Sequence, residues 1–418
     1  MNPRCIYWWV IIHATIREPN MSHNTFEAVA AGHICLDVIP DLAGMPPAEF
    51  ARLFSPGRLV EAGPMAFSTG GPVSNTGLAL NKLGINTQLM GKVGDDIYGG
   101  VIQQLVNTYH PHLAEGMVID PTSHTSYTIV INPPQTDRIF LHFPGANDTF
   151  TAADVRYDRV AQSRLFHFGY PPVMKSVYEN DGAELAEIFR RAKEIGATTS
   201  LDMSLPDPSS AGGQADWRAI LQATLPHVDI FLPSAEEILY MLRRDTFAEF
   251  HRVAAGGDIL PLFTPSLLTD LSTELLTMGA KIACIKLGHR GFYLHTADQP
   301  ALEKLGRACP TQPAAWANRQ MWASAFLVEE VGATGAGDAS IAGFLSAFLR
   351  DMSPQEALTI ATAVGACNVE ATDGLSGIRS WDETLRRVQA GWAKRELLLD
   401  APGWAFDEQY QLWINVSI

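Results

Sequence analysis

The run Val331-Gly332-Ala333-Thr334-Gly335-Ala336-Gly337-Asp338 sets small residues ahead of a single carboxylate. Beyond it Ile341, Phe344, Leu345 and Phe348 recur at i, i+3, i+4 and i+7, the period of a helix with one apolar face. The glycines therefore fall at a helix N-terminus. Unpaired backbone N–H groups and the positive end of the helix dipole meet there, and Gly335, Ala336 and Gly337 carry no bulk to keep an anion away. A carboxylate beside an anion site repels the ligand unless it takes a proton from an attacking hydroxyl. Asp338 is thus the residue type that phosphoryl transfer uses as its base. Taken in isolation, the same run is more often a flexible turn with the Asp as an N-cap.

Other segments offer parts of a site. Ser68-Thr69-Gly70-Gly71-Pro72-Val73-Ser74-Asn75 joins an extended stretch to a helix. Its glycines let a ligand approach the backbone, and Asn75 donates and accepts at once, which suits a polyol; alone, the run is a capped turn. Asp37 closes Ala31-Gly32-His33-Ile34-Cys35-Leu36-Asp37 past the first expected strand. Ligands collect at the carboxyl ends of strands in open α/β sheets, so Asp37 either accepts from two sugar hydroxyls or caps a loop. Glu236 and Glu237 open a helix after Phe231-Leu232-Pro233-Ser234. They favour the helix dipole, and one of them is placed to hold Mg²⁺ through water. Leu287-Gly288-His289-Arg290-Gly291 is a tight turn or a close approach to a nucleotide, and Asn147 is similarly open between a turn and a ligand contact. For His110 and His112 no nearby acidic or Cys partners support a metal site, and they are read as surface residues. Gly70-Gly71 is not a dinucleotide fingerprint, and no G-x-x-x-x-G-K-[ST] occurs, which disfavours a classical dehydrogenase and a P-loop kinase.

These residues need a layered scaffold. From Phe26 onward, short apolar runs alternate with helical patterns, the mark of an α/β domain with a mostly parallel sheet flanked by helices. We expect strands over Glu27–Ala31, Thr87–Val93, Leu165–Phe168, Thr198–Met203, Asp229–Leu232, Lys281–Leu287 and Phe292–His295, and a strand-like run before the glycine turn. Helices are expected over Asn75–Leu83, Gly182–Ile195, Ala235–Arg243, Pro265–Met278, Pro354–Ala371 and Trp381–Ala393. Two stretches break the alternation. Pro40–Phe67 is rich in Pro and Gly, and Ser126–Asn132 with Arg138–Phe143 reads as a hairpin, a small flap or a surface excursion.

At 418 residues the chain suits one large α/β domain with a smaller piece. It is 47% hydrophobic and 18% charged, with no run of the roughly 18 to 20 apolar residues that a membrane span needs. A net charge of −15 argues against nucleic acid or anionic lipid as partners, but not against small anions held by backbone amides. Five scattered cysteines without a C-x-x-C pair point to free thiols in a reducing compartment, the cytoplasm, and to no zinc site. Residues 1–24 hold a short apolar stretch without a clear cleavage site. We expect a dispensable leader or an overlong start, with Met21 as a second start. The domain is expected over residues 25–394, its lid from about 38–68 and 125–143. Residues 395–418 remain a packed tail or an interface strand.

Taken in order, these pieces resemble the ribokinase-like, or PfkB-type, family of sugar and nucleoside kinases, from about Phe26 to Glu383. Thr334-Gly335-Ala336-Gly337-Asp338 is similar to its C-terminal signature. Gly70-Gly71 with Asn75 is similar to its N-terminal one, and Gly91-Lys92-Val93-Gly94-Asp95-Asp96 to its G-x-V-G-x-D segment. The resemblance implies a central sheet flanked by helices, a small β lid, ATP as donor and Mg²⁺. Asp338 would be the base, and the amides of Gly335, Ala336 and Gly337 the anion hole. Asp37, Gly70, Gly71, Asn75 and Asn147 would meet the acceptor, and Thr334, Lys286, Gly288 and Gly291 the nucleotide. Glu237 matches the glutamate of the N-x-x-E motif, whose asparagine is Ser234 here. Gly332 and Ala333 depart from the family where relatives bind a monovalent cation, so potassium (K⁺) activation is left open.

The leading expectation is an ATP-dependent carbohydrate kinase with direct in-line transfer. A nucleoside kinase is the neighbouring alternative, and Phe140, His142 and Phe143 beside the lid suit either. A non-catalytic sugar or nucleotide sensor is the third reading. An exposed lid edge makes a homodimer an expectation as well.

Overall fold

The computed structural model describes residues 26–46, 50, 55–132 and 139–417. The leader at 1–24, the centre of the hairpin turn and part of the Pro- and Gly-rich stretch lie outside the described residues.

Ten strands form the main sheet. β4 (Thr87–Met90), β1 (Ala28–Gly32), β9 (Leu165–Gly169), β10 (Thr198–Leu201), β11 (Ile230–Phe231) and β12 (Ile282–Lys286) run parallel, each beside the next. β13 (Phe292–Thr296), β14 (Gln320–Ala323), β16 (Leu412–Asn415) and β15 (Trp404–Asp407) extend it antiparallel. A second sheet has the order β3-β2-β7-β8, from β2 (Cys35–Pro40), β3 (Met65–Gly70), β7 (Tyr127–Ile131) and β8 (Ile139–Phe143). β5 (Lys92–Gly94) and β6 (Val118–Asp120) form a short parallel pair.

The apolar alternation of β1 shows why the main sheet is covered on both faces. Ala28 and Ala30 enter one buried cluster with Phe344 and Leu358, whereas Val29 and Ala31 enter another with Phe189 and Leu239. Side chains alternate across a strand, so a run that is buried throughout needs helices on both sides. Helices Pro72–Lys82, Ala336–Leu349 and Pro354–Asn368 serve one face; Ala183–Glu194, Ala235–Leu242 and Pro265–Met278 serve the other.

Several expectations are corrected. Thr87–Val93 is two strands in different sheets, interrupted at Gly91, where a Cβ would come within 2.6 Å of Ile34. Asp229–Leu232 shortens to Ile230–Phe231, although the flanking Asp229 and Leu232 amides still donate to Thr199 O and Leu201 O on the neighbouring segment. Thr198–Met203 ends at Leu201, and residues 327–333 before the glycine turn form no strand. The expected hairpin pairs as β7 and β8, from Tyr127 opposite Phe143 to Ile131 opposite Ile139, but inside a four-stranded sheet. Helices Ile97–Asn107 and Arg244–Ala254 were not foreseen. Asp96 caps the first of these through the Gly99 amide and also accepts from Thr125 N and Oγ1, tying the start of the hairpin to the main body. Residues 395–418 supply β15 and β16, a hairpin added to the sheet edge beside β14.

His167, wholly buried on β9, faces Ser200 Oγ at 3.0 Å through Nδ1, and burial lowers its pKa to about 3. The unfolded imidazole takes a proton below about pH 6.5, so between these values the unfolded state binds the extra proton and stability falls with pH. His167→Asn removes this contribution. The parent is expected to lose about 2 kcal/mol more stability than the variant between pH 7 and pH 5, read by urea unfolding at both pH values.

Candidate active site

The parallel strands end at one rim, and the candidate side chains gather there. Tyr170 follows β9, Asp202 follows β10 and Lys286 ends β12. Helix Pro72–Lys82 brings Asn75 and Thr76, and helix Ala336–Leu349 brings Asp338 in its first turn.

Asp338 does not cap its helix. The N-cap is Gly335, in the left-handed region at φ 71, and makes no side-chain cap bond. The carboxylate is buried and turned to other elements: Oδ2 accepts from Asn75 Nδ2 at 3.0 Å and Tyr170 OH at 2.9 Å, and Oδ1 from Thr76 Oγ1 at 3.1 Å. Burial pushes its pKa up, while the Lys286 ammonium and the three donors pull it back; burial is the larger influence.

Lys286 Nζ pairs with Asp202 Oδ1, and both side chains are almost wholly enclosed. Burial disfavours the ammonium, but Asp202, Glu237 and Asp338 together hold its pKa above the ordinary value. The magnitudes agree: one charge pair at 4 Å contributes about 4 kcal/mol at an effective dielectric constant near 20, comparable with the several kcal/mol that desolvation costs per ion. Three carboxylates tip the balance. The lysine stem lies along Gly337, where a Cβ would be 3.6 to 3.9 Å from Cδ, Cε and Nζ. A fixed cation thus stands beside the helix N-terminus, where the Ala336 amide donates to Ala333 O at 3.3 Å.

A cleft of about 160 Å³ opens from this point. It gathers Lys286, Gly288, Gly291, Ala336 and Gly337, with Phe326, Val328 and Val369 as apolar wall. Thr334 does not line it. Arg395 does, although it lies beyond the expected domain end.

On the other side, Asp37 stands on β2, its carboxylate against Gly70, where a Cβ would be 2.6 Å from Oδ2. Cys35 Sγ donates to Asp37 Oδ1 at 3.4 Å. Gly71, the N-cap of the Asn75 helix, has φ 87 and ψ 163, a conformation essentially restricted to glycine. A Cβ there would also come within 2.6 Å of His33 Nδ1 and O. Gly71→Ala is therefore expected to lose about 2–3 kcal/mol of stability, measured by urea unfolding.

One assignment changes. Asn147 is wholly buried and its amide serves the main chain: Oδ1 accepts from Ile34 N at 3.2 Å, and Nδ2 donates to Ile34 O at 2.9 Å and Pro144 O at 3.1 Å. It clips two loops together, with both Nδ2 donors spent on main-chain carbonyls. Glu237 spends Oε2 on Ser234 N at 2.6 Å in a reciprocal capping box. Its charge still reaches Lys286.

Tyr170, Thr76 and Asp202 were missed. Asp202 carried the same signal as Asp37, a carboxylate at the end of a strand. Tyr170 and Thr76 offered none, because their bonds to Asp338 span 168 and 262 residues.

A family model described as pfkB family carbohydrate kinase matches residues 27–380. Fructokinase-2 of Oryza sativa subsp. japonica is 24% identical over 362 residues, covering 84% of this chain and 89% of its own. Among solved structures, a ribokinase from Thermotoga maritima superposes with a TM-score of 0.62 at 19% identity, over 87% of this chain and 99% of that one. A putative ribokinase II from E. coli, in complex with ATP and Mg²⁺, gives 0.60 at 18% identity over 87% and 99%. These likenesses establish the ribokinase-type fold. With its family model spanning most of the chain and a buried Asp338 at the glycine-lined helix end, the protein belongs to the pfkB family of carbohydrate kinases.

Proposed function

We propose that this carbohydrate kinase transfers the γ-phosphoryl group of ATP to a hydroxyl of a small sugar, with Asp338 as general base. The observation that carries this reading is the Asp338 carboxylate, aligned by three donors and set in the first turn of a helix whose Ala336 and Gly337 border one cleft with Lys286, while Gly335 does not line it. The acceptor hydroxyl gives its proton to Asp338 as its oxygen attacks the γ-phosphorus, and the bond to the ADP oxygen breaks. The amides of Gly335 and Gly337, that of Ala336 once it leaves its 3.3 Å bond to Ala333 O, and the Lys286 ammonium would stabilise the charge that spreads over the transferred oxygens. Lys286 is held by its own ion pair, so little reorganisation is needed as the reaction proceeds.

Among the described residues no three acidic, His or Cys side chains converge to cage a metal. Mg²⁺ needs no such cage, because it keeps several waters and binds through one or two carboxylates and the nucleotide phosphates. Glu237 is the side chain that would meet its hydration shell, and Asp202 Oδ2, buried without a hydrogen-bond partner among the described residues, lies in the same charge cluster. Bound Mg²⁺ would supply charge neutralisation at the β- and γ-phosphates.

A sugar is favoured over a nucleoside by the polar lining near Asp37. His142 on β8 contacts Thr128 Oγ1 at 3.0 Å, and its ring lies 5.3 Å from that of His33. Phe143 instead packs on Tyr127. The test is ADP release from MgATP with D-fructose, D-ribose, 2-keto-3-deoxygluconate and adenosine, with and without potassium. Turnover that requires a sugar supports the reading. Turnover with adenosine alone replaces it by the nucleoside reading, and folded, nucleotide-binding protein that turns over none refutes it.

A further inference from the structure

Tyr170 stands outside the chemistry derived so far, yet its placement is unusual. It follows the last residue of β9 with φ 62 and ψ 43, a left-handed conformation rare for a bulky side chain. Pro171 and Pro172 come next and restrict it further. Such conformations persist where the surrounding structure demands them, often at sites of function. The product of this one is the bond from the phenol to Asp338 Oδ2 at 2.9 Å. Burial, followed by the carboxylates of Asp338, Asp202 and Glu237, pushes the phenol well above its usual pKa. It is a donor throughout the working range.

Each carboxylate oxygen has two acceptor positions. Asp338 Oδ2 receives Asn75 and Tyr170, which fills both, whereas Oδ1 receives only Thr76. We infer that Tyr170 is a positioning residue that, together with Asn75, locks Oδ2 of Asp338 and leaves the open lone pair of Oδ1 to take the proton of the acceptor hydroxyl. The inference rests on the reading of Asp338 as the base. The acceptor then approaches from the Thr76 side, without displacing a hydrogen bond that holds the carboxylate. Asn75 serves the base first, which differs from the expectation that it holds only the sugar.

The test uses full-length Tyr170→Phe, which keeps the ring and removes only the donor. The groups that face Asp338 from the neighbouring elements remain: Lys286 at the end of β12, Asp202 after β10, Glu237 at the start of helix Ala235–Leu242, and Asn75 and Thr76 on helix Pro72–Lys82. The assay uses whichever of D-fructose, D-ribose, 2-keto-3-deoxygluconate and adenosine the parent phosphorylates fastest. A hydrogen bond to a charged group corresponds to about a ten- to hundredfold effect. We expect kcat to fall by about that factor, with the acceptor KM nearly unchanged. The acid limb of kcat/KM should move to higher pH by about one unit, because the lost donor favoured the ionised carboxylate. An unmoved acid limb, or a loss carried wholly by KM as for a sugar contact, overturns the inference. Asp338→Asn separates the two levels. If it remains active, or if the parent phosphorylates none of the four acceptors, the base reading fails and takes this inference with it. If it is inactive while Tyr170→Phe leaves the acid limb in place, only the role of Tyr170 fails.

Discussion

Asp338→Asn is expected to bind MgATP at least as tightly as the parent and to lose turnover by on the order of 10³-fold, the middle of the range for a positioned base. The amide preserves the shape of the site. With its oxygen toward Asn75 and Tyr170, both of those donors keep an acceptor, and the nitrogen faces the Thr76 hydroxyl, which can accept in turn. The lost quantity is therefore proton acceptance and not architecture. Removing a buried negative charge beside the anion site also removes repulsion toward the nucleotide, hence the undiminished binding. Coupled ADP-release kinetics and titration calorimetry with MgATP check the two halves separately. Turnover above a tenth of the parent's would show that the acceptor proton leaves by another route.

The second large effect concerns stability. Lys286→Met keeps most of the lysine's volume but leaves Asp202, Glu237 and Asp338 without their cation. Truncating one partner of a buried pair costs about 3–5 kcal/mol, because the other charge remains enclosed. The Asp202 side chain is only 1% exposed, which leaves little room for rescue by solvent. Burial already holds the Asp202 and Asp338 carboxyls above their ordinary pKa, and Lys286 is the strongest influence opposing that rise. In the variant their folded pKa values climb further. Groups whose folded pKa exceeds the unfolded value favour the folded state below the unfolded pKa and lose that contribution as pH rises. The deficit of Lys286→Met is thus expected to be larger at pH 8 than at pH 6. Urea unfolding at both pH values reads this, and a variant as stable as the parent at pH 8 would disprove the buried pair.

Much of the scaffold was legible because its causes are local. The stripe Ile341, Phe344, Leu345 and Phe348 predicted a helix, and all four are buried in helix Ala336–Leu349. Helix Pro265–Met278 appears with the expected bounds, its start marked by Thr264 and Pro265. Errors arose where a tertiary contact decided. Gly91 divides an apolar run where Ile34 packs against its backbone. The tail 395–418 lacked a pattern of its own because its strands are completed by β14, about ninety positions away in the chain. Asn147 was misjudged for a related reason: an amide in a loop looks the same whether it will meet a ligand or the main chain at Ile34.

The amino-acid order by itself determined that a glycine-lined helix end with one carboxylate exists, and that a second glycine pair with Asn75 precedes another helix. Backbone freedom, helix period and free terminal amides are properties of a few consecutive residues. Only the tertiary structure decided what Asp338 touches. The parallel order of β9, β10 and β12 sets Tyr170, Asp202 and Lys286 at one rim, and packing of helix Ala336–Leu349 on Pro72–Lys82 adds Asn75 and Thr76. Which lone pair of the Asp338 carboxylate stays open depends on donors 168 to 263 residues away, and no local rule encodes that distance.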